Sequence, residues 1–513
     1  MKKKKIKVNE LKAGALLSYV SLGMGFIVSI LYTPIMIRLL GQSEFGLYSL
    51  SVSVVSYLSL MNFGLSSAYI KYFSKYKVED EQENIARLNG MYIIVYSVIG
   101  VLVLFAGSFL VLNTEFILGN KLSPYELNKA KILLSILVIN MAISIPASLF
   151  QSHITANERY IFQKSISMIR TIVNPLVMLP ILLMGYRSVG MVIVTTILNI
   201  SVETSNIIFC IKKLKMRFLY KYFDISLLKE MIIFSSYIFM NMIIDRINWS
   251  IGTFLLARFH GTVQVAIYGI AAQLNTYYMI LSTAISNVFI PRVNRIVAKF
   301  KDDQELTNLF TRIGRIQFAL LCLIFSILLF FGKQFITLWA GSNYEDSYLI
   351  ALILIFPVSI PLIQNLGIEI QKAKNKHQFR SLLYLLIAIA NVMLTIPLAK
   401  RYGGAGAAMG TALSLFIGNG IIMNFYYHKK IGINIKYFWA EIFKFSKSLF
   451  VPFISGYFIQ YYFNLYDIFK LPVAIALYIS IFTLSIWFFG FNEYEKNLFG
   501  SPIIRLLKKL KRR

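Results

Sequence analysis

The chain has 513 residues, of which 57% are hydrophobic and only 15% charged, and its mean hydropathy is +0.66. A water-soluble domain cannot bury that much apolar surface. The composition therefore excludes a soluble globular protein and predicts a membrane protein. The formal net charge of +29 does not indicate a nucleic-acid-binding protein, because the lysines and arginines are confined to short segments between apolar stretches.

Apolar stretches of about 20 residues recur along the whole chain, and each is long enough to cross the hydrocarbon core as an α-helix. The strands of an outer-membrane barrel would be about 10 residues long with alternating polarity, a pattern that the sequence lacks. We therefore predict an all-α integral membrane protein with about fourteen transmembrane helices. The predicted spans are 13–35, 46–70, 88–112, 130–152, 163–184, 189–210, 229–256, 264–290, 313–338, 347–370, 380–398, 404–427, 446–463 and 471–490.

The first twelve residues are rich in lysine and are followed by an apolar run that continues to about Tyr32. Because no convincing small-residue cleavage site interrupts this run, we interpret it as an uncleaved first span. With the N-terminus in the cytoplasm, about forty Lys and Arg residues face the cytoplasm and about ten face the opposite side. This bias predicts an even number of spans, with both termini in the cytoplasm.

An eleven-residue stretch occurs twice, as Arg38–Tyr48 and as Arg258–Tyr268, with Arg, Gly and Tyr at the same offsets. Weaker matches follow at nearly the same separation, among them Asn174 with Asn391. An internal duplication is the simplest explanation, and in membrane transporters such paired halves usually place the substrate site between them.

The duplication predicts two bundles of six helices. Because six is an even number, both bundles start on the same side of the membrane and are related by an axis along the membrane normal. The predicted segments are a basic cytoplasmic N-terminus (1–12), an N-terminal six-helix bundle (13–210), a cytoplasmic linker (211–228), a C-terminal six-helix bundle (229–427), two additional transmembrane helices (428–490) and a basic cytoplasmic tail (491–513).

Several spans carry polar side chains on one helical face, although leucine or valine would satisfy a purely structural helix in lipid. These faces are predicted either to line a shared water-filled cavity or to let neighbouring helices pack closely, and the sequence leaves both interpretations open. The residues are Ser49, Ser53 and Ser56 in the second span, Asn174 in the fifth, and Tyr268, Asn275 and Ser282 in the eighth.

Charged side chains inside spans are rarer. A charge at the centre of a span costs on the order of 2.5–3.5 kcal/mol to insert, so it should face a cavity or a partner. We predict that Arg246 and Arg170 bind an anionic head group and that Asp245 and Glu203 serve ion coupling, the alternative being mutual ion pairs that stabilise the bundle. Because neighbouring side chains point about 100° apart on a helix, Asp245 or Arg246 should have a partner elsewhere.

No enzyme motif is present. The four histidines are scattered over loops and span ends, and no phosphate-binding loop of the GxxxxGK[ST] type occurs. The two cysteines, Cys210 and Cys322, offer neither a disulfide framework nor a metal-binding spacing, so we expect them to pack as small apolar side chains. The sequence therefore predicts no catalytic residue, no metal site and no cofactor.

Four segments carry a family resemblance through their order and spacing, and the resemblance extends over nearly the full chain. The segments are Arg38–Tyr48, Asn62–Lys71, Ala266–Ala271 and Gly403–Thr411. Together they resemble the polysaccharide transporter family, the bacterial flippases of lipid-linked oligosaccharides. This family shares a superfamily with multidrug extruders and with the peptidoglycan lipid flippase.

The resemblance implies a V-shaped pair of bundles whose central cavity opens alternately to each side of the bacterial cytoplasmic membrane. It implies an undecaprenyl-diphosphate-linked oligosaccharide of O-antigen or capsule biosynthesis as the cargo. Membrane lipids, a polysaccharide polymerase and glycosyltransferases are the implied partners, and nucleic acid is not one. One departure is that spans 1 and 2 contain no cationic residue, where the peptidoglycan lipid flippase is expected to carry some head-group-binding arginines.

Two other functions remain as alternatives. A cation-coupled multidrug extruder of the same superfamily should have mainly acidic residues in its cavity, whereas the charges inside these spans include as many arginines as acidic residues. A membrane glycan polymerase or ligase usually needs a sizeable extramembrane loop, and the predicted external loops here are short. The sequence thus favours a flippase.

Overall fold

The computed structural model of the chain describes residues 10–119, 121–221, 223–299, 303–376 and 378–500. Within these ranges the regular structure is helical and no β-strand occurs, which confirms the all-α prediction. The lysine-rich start up to residue 9 and the basic tail from residue 501 lie outside the described residues, so their placement stays a prediction.

The helices follow one another with short connections. In the first half they are α1 (Glu10–Leu40), α2 (Gln42–Leu58), α3 (Leu65–Val78), α4 (Gln82–Leu112), α5 (Thr114–Leu118), α6 (Pro124–Ala156), α7 (Tyr160–Leu183), α8 (Arg187–Lys212) and α9 (Ile225–His260). In the second half they are α10 (Thr262–Val288), α11 (Ile290–Lys299), α12 (Asp303–Trp339), α13 (Ser347–Ile363), α14 (Leu366–Ala373), α15 (Gln378–Leu415), α16 (Met423–Tyr426), α17 (Ile435–Phe443), α18 (Ser446–Tyr462) and α19 (Lys470–Ser485).

Every predicted span coincides with helical structure, but the number of helices that qualify as spans is smaller. In the described part of the chain, 11 helices are long and apolar enough to cross a membrane, or up to 12 if the bent pair α17–α18 forms one span. The stretch Gln378–Ile431 is counted once although it contains two predicted spans, and α10 is not among the 11 although it has 27 residues. The count of fourteen therefore stays a prediction.

The two predicted spans within Gln378–Ile431 are separated by a sharp reversal at Gly403. The backbone there leaves the helical region, with φ 58° and ψ −136°. After the reversal the chain runs back along itself, because a Cβ atom on Gly406 would lie 1.9 Å from the Leu398 carbonyl oxygen and one on Gly410 would lie 2.3 Å from Thr395 Oγ1. The glycine-rich segment thus makes two antiparallel helices that pack backbone to backbone.

The chain divides into two compact units between Ala266 and Ile267. The division falls one helix later than the predicted linker at 211–228, because α9 packs against α2 and α3 in the first unit. The assignment of α9 to the second repeat rests on its order in the sequence, and the predicted bundle boundaries stay predictions.

Backbone turns with positive φ recur in the two halves. Gly41 precedes α2 with φ 79°, and Gly261 precedes α10 with φ 82°. Such values strain any residue with a side chain, so glycine is favoured at both places. Two further pairs of glycines, each also about 220 residues apart, are Gly119 with Gly341 (φ 80° and 110°) and Gly185 with Gly403 (φ 86° and 58°). This recurrence supports the predicted duplication.

The two copies of the repeated stretch meet inside the first unit. A Cβ atom on Gly46 would lie 1.9 Å from the carbonyl oxygen of Thr262, so the N-terminal turns of α2 and α10 approach backbone to backbone. Beside this contact, Glu126 Oε1 accepts hydrogen bonds from Ser43 Oγ and from Thr262 Oγ1, both at 2.7 Å. One carboxylate therefore ties three helix N-termini together.

In the second unit a buried arginine joins the additional helices to α12. Arg315 is 3% exposed and donates from Nε and Nη2 to both oxygens of Glu495, at 2.6 and 2.9 Å. Its other hydrogen bonds go to the carbonyl oxygens of Glu441 and Gly490 and to the Glu441 carboxylate. A charged network that the sequence analysis did not identify thus anchors α17, before the two C-terminal helices, and the segment after them to α12.

Candidate functional site

Three neighbouring helices of the first unit each present a polar stripe. In every stripe the residues are spaced i, i+4 and i+7, which places them on one helical face. Helix α6 packs against α7 and α8, and α7 packs against α8, so the three stripes can meet. They are Ser144, Ser148 and Gln151 on α6, Gln163, Ser167 and Arg170 on α7, and Asn199, Glu203 and Asn206 on α8.

The stripes line two adjoining cavities. The smaller, of about 230 Å³, also borders Ser59 and Asn62 beyond the end of α2. The larger, of about 290 Å³, borders Lys164 in addition to the α7 and α8 stripes. Gln151, Glu203 and Asn206 line both cavities. We call the two together the polar cavity, a site where amide, hydroxyl and charged groups line the space between three largely apolar helices, with Gln151, Ser167 and Arg170 exposed.

The charged groups that line the polar cavity are Lys164, Arg170 and Glu203. The Glu203 carboxylate accepts a hydrogen bond from Ser144 and interacts electrostatically with Arg170. Its Oε2 atom is buried and makes no hydrogen bond to the described residues. With two cations against one carboxylate, the lining is net positive and suits an anionic ligand.

Arg246 lies next to the polar cavity because it bonds to Ser59, which lines the smaller part of that cavity. Ser56 Oγ donates to the carbonyl oxygen of Ser53 at 2.5 Å, and Ser59 Oγ donates to that of Ser56 at 2.6 Å. Arg246 Nη2 in turn donates to Ser59 Oγ at 3.3 Å. We expected Asp245 or Arg246 to have a partner on another helix, and Ser59 is such a partner for Arg246. Asp245 is exposed.

The other predicted site residues lie elsewhere. Asn174 is half-buried one helical turn beyond Arg170 and does not border the polar cavity. Tyr268 and Asn275 belong to the second unit, where they are only 4% and 2% exposed. Tyr268 interacts there with Thr411. The structure therefore brings Arg170 and Glu203 together, places Arg246 beside them through Ser59, and separates Tyr268 and Asn275 from this group.

Sequence reasoning missed several residues of the polar cavity, although a signal for them was present. Ser59 continues the serine spacing of Ser53 and Ser56 by one more turn. Gln163 and Asn206 complete stripes in which only a charged member was singled out. The spacing i, i+4 and i+7 around a charged residue would have found these positions, whereas nothing in the sequence indicated that the three stripes share one cavity.

Among the described residues, no group of three or more His, Cys, Asp and Glu side chains could hold a metal ion. The polar cavity has only one carboxylate, and its remaining ligands are amides, hydroxyls and cations. These groups can hydrogen-bond phosphate oxygens and sugar hydroxyls.

Comparisons with known proteins agree with this picture. The model of a family described as polysaccharide biosynthesis protein matches residues 35–349. A Shigella flexneri protein named "Putative O-antigen transporter" is 20% identical over 390 residues, which are 74% of this chain and 89% of that protein.

Two solved structures are similar in fold. Lipid II flippase MurJ in its inward closed conformation aligns with a TM-score of 0.68 at 14% identity, covering 96% of this chain and 99% of its own. An inward-facing multidrug resistance MATE family transporter of the MOP superfamily aligns with a TM-score of 0.65 at 10% identity, covering 82% and 99%. The predicted all-α transporter fold is confirmed. The family model matches more than half of the residues of this chain. This multi-pass membrane protein therefore belongs to the polysaccharide biosynthesis protein family.

Proposed function

We propose that this protein is a flippase that moves an undecaprenyl-diphosphate-linked oligosaccharide across the bacterial cytoplasmic membrane for surface polysaccharide synthesis. The observation that carries the proposal is the polar cavity of the first unit, whose lining is net positive through Lys164 and Arg170. Membership of the polysaccharide biosynthesis family and similarity to a protein named as an O-antigen transporter support the same function.

The chemistry of the cargo fits the polar cavity. A diphosphate carries about two negative charges, which Arg170 and Lys164 hold by charge-assisted hydrogen bonds. Gln151, Asn199 and Asn206 supply amide donors and acceptors for sugar hydroxyls. The lipid tail stays in the bilayer, so only the polar head has to cross, and a polar lining lowers the cost of that step.

Arg246 acts as a third cation of the head-group site, beside Arg170 and Lys164. Its hydrogen bond to Ser59 holds the guanidinium beside the smaller part of the polar cavity. Ser53 and Ser56 extend this polar surface along α2, and Asn174 extends the α7 stripe. Tyr268 and Asn275 stay proposed cargo-binding residues of the second unit, although both are buried in this structure.

Glu203 and Asp245 are the proposed ion-coupling residues. Glu203 suits the role because one of its oxygens is buried without a hydrogen bond to the described residues while Arg170 stands nearby. Binding of a proton or metal cation at Glu203 would leave the positive charge of Arg170 uncompensated and strengthen its hold on an anionic head group. Ion binding and cargo binding would thereby be linked.

The cation-coupled multidrug extruder remains the second candidate, because a MATE family transporter shares the fold. A cationic drug would need an acidic cavity, and the lining charges here favour an anion instead. The residues that line the polar cavity do not form a catalytic group that would support a membrane glycan polymerase or ligase. We therefore favour a transport function over an enzymatic one.

In the cell, this function places the protein in the inner membrane with both termini in the cytoplasm. There it would receive its cargo from glycosyltransferases and deliver it to a polysaccharide polymerase on the other side. The charge bias of the loops supports this orientation.

The test is translocation of a lipid-linked oligosaccharide in proteoliposomes that contain this protein alone, read as protection of the glycan from an added glycosidase. We expect protein-dependent translocation, and we expect Arg246→Ala and Arg170→Gln to abolish it without lowering the amount of folded protein. The matched control is Arg159→Gln, the N-terminal flanking residue of α7, which does not border the polar cavity. Wild-type translocation by both variants would refute the head-group site.

A further inference from the structure

A separate cavity of about 840 Å³ lies in the first unit beneath the connection between α8 and α9. Its walls come from the ends of α3, α4 and α6 and from residues 214–219. The connection is held in place by a hydrogen bond from the Leu219 amide to the Ala86 carbonyl oxygen at 2.9 Å. We call this space the linker cavity. It shares no lining residue with the polar cavity.

The linker cavity is strongly basic. Lys77, Lys215 and Arg217 line it, and Glu83 is the acidic residue among its lining residues. Glu83 is already paired, because Arg87 Nη2 donates to its carboxylate at 2.5 Å. Three cations therefore face a space in which no carboxylate is left to balance them, and such a space attracts an anion with more than one negative charge.

A buried chain of hydrogen bonds determines which ring nitrogen of His153, in the wall of the linker cavity, carries the proton. Asn89 Nδ2 donates to the Arg217 carbonyl oxygen at 2.8 Å, which leaves Asn89 Oδ1 to accept from Tyr69 Oη at 2.6 Å. The Tyr69 hydroxyl has then used its only proton. It must accept from Nδ1 of His153, which lies 2.7 Å away. The neutral imidazole therefore carries its proton on Nδ1 and has an acceptor at Nε2.

The Nε2 atom is available to a ligand. His153 is only 4% exposed, yet its ring borders the linker cavity. Nε2 makes no hydrogen bond to the described residues. A hydrogen-bond acceptor in the wall of this cavity cannot bond a phosphate oxygen, which is itself an acceptor, but it can accept a hydrogen bond from a hydroxyl group. Phe73 and Phe218 add an apolar surface to the same wall, which suits the face of a sugar ring.

We propose that the linker cavity binds a sugar diphosphate. The diphosphate lies against Lys77, Lys215 and Arg217, and a sugar hydroxyl donates to Nε2 of His153. This chemistry has two sources, the head group of a lipid-linked glycan and a soluble nucleoside diphosphate sugar. The site goes beyond the proposed function, because transport through the polar cavity does not require it.

The test measures binding and not transport, so its failure is distinct from a failure of the flippase function. The full-length protein in nanodiscs is titrated by calorimetry with pyrophosphate, with UDP-glucose, and with a water-soluble short-chain prenyl diphosphate disaccharide. Lys215→Gln and Arg217→Gln are each expected to weaken binding of pyrophosphate about tenfold. Lys213→Gln is the matched control, because Lys213 is exposed on the same connection and does not line the cavity.

His153→Asn distinguishes the contribution of the sugar to binding from that of the diphosphate. Asparagine keeps a donor at the position of Nδ1 for Tyr69 and lacks the acceptor at Nε2, so folding should be preserved. We expect this variant to weaken the sugar diphosphates about tenfold and to leave pyrophosphate unchanged. Tighter binding of UDP-glucose would identify the soluble source, and tighter binding of the prenyl compound the lipid-linked one. The proposal is overturned if none of the three probes binds, or if Lys215→Gln and Arg217→Gln behave like Lys213→Gln.

Discussion

Removal of Arg315 should destabilise the second unit more than any surface substitution nearby. Its guanidinium makes a bidentate pair with Glu495, and the two side chains are only 4% and 1% exposed. Arg315→Met would leave the Glu495 carboxylate buried without a compensating charge. Loss of one partner from such a pair costs about 3–5 kcal/mol. For a unit of this size we therefore expect the unfolding midpoint to fall by about 10 °C.

The pair is best tested as a double-mutant cycle. Glu495→Gln retains an oxygen for the backbone amide of Asn492, which donates to Glu495 Oε2 at 2.9 Å. The double variant Arg315→Met/Glu495→Gln removes both charges and leaves none uncompensated, so its cost should be smaller than the sum of the single costs. We expect a coupling free energy of about 2 kcal/mol.

Two cysteines make the measurement specific to each unit. Cys210 lies in the first unit and is buried, and Cys322 lies in the second, seven residues after Arg315 on α12. In a Cys210→Ala background, a thiol-reactive dye added during heating in detergent reports the unfolding of the second unit. Arg312→Met is the control, because Arg312 is exposed on the same helix. If Arg315→Met unfolds at the same temperature as this control, the network does not carry the stability assigned to it.

Three further predictions follow from the first unit. Glu203→Gln should abolish the response of translocation to an imposed cation gradient, measured in proteoliposomes, and an undiminished response would assign ion coupling to another group. Gly46→Ala should destabilise the protein by about 1–3 kcal/mol, because its Cβ atom would lie 1.9 Å from the Thr262 carbonyl oxygen. Gly25→Ala is the control and should not destabilise the protein, because an added Cβ atom there would meet nothing within 4 Å apart from its own stretch of helix. Equal unfolding temperatures of the two variants would contradict the close contact at Gly46. Ser123→Ala removes the N-cap of α6 and should cost about 1 kcal/mol in thermal unfolding while translocation is retained.

The sequence predicted the local features of this protein well. Long apolar runs gave the positions of the helices. The close packing of two helices at Gly403–Thr411 was not predicted, because this segment was noted only for its resemblance to the family. Two copies of one stretch were visible at Arg38–Tyr48 and Arg258–Tyr268, and the positive-φ turns at Gly41 and Gly261 support the duplication, which stays a prediction. These features depend on residues near one another in the chain.

The composition of the site was only partly predictable. Arg170 and Glu203 were identified because a charge inside a span is costly, and the structure places both on one cavity. Lys164 was missed because it lies near the start of its helix, where a lysine is ordinary. Arg315 was missed because it lies near the start of the predicted span 313–338, although in the structure it is well inside α12 and is buried against Glu495, 180 residues later in the chain.

What the sequence by itself determined is the set of helices and their polar faces, because in lipid every backbone hydrogen bond must be made within the helix and the periodicity of the side chains then follows. Only the tertiary structure decided which faces meet. Arg246 finds Ser59 at a separation of 187 residues, and the stripes of α6, α7 and α8 form one cavity. Such pairings depend on how helices pack side by side, which short-range sequence patterns do not encode.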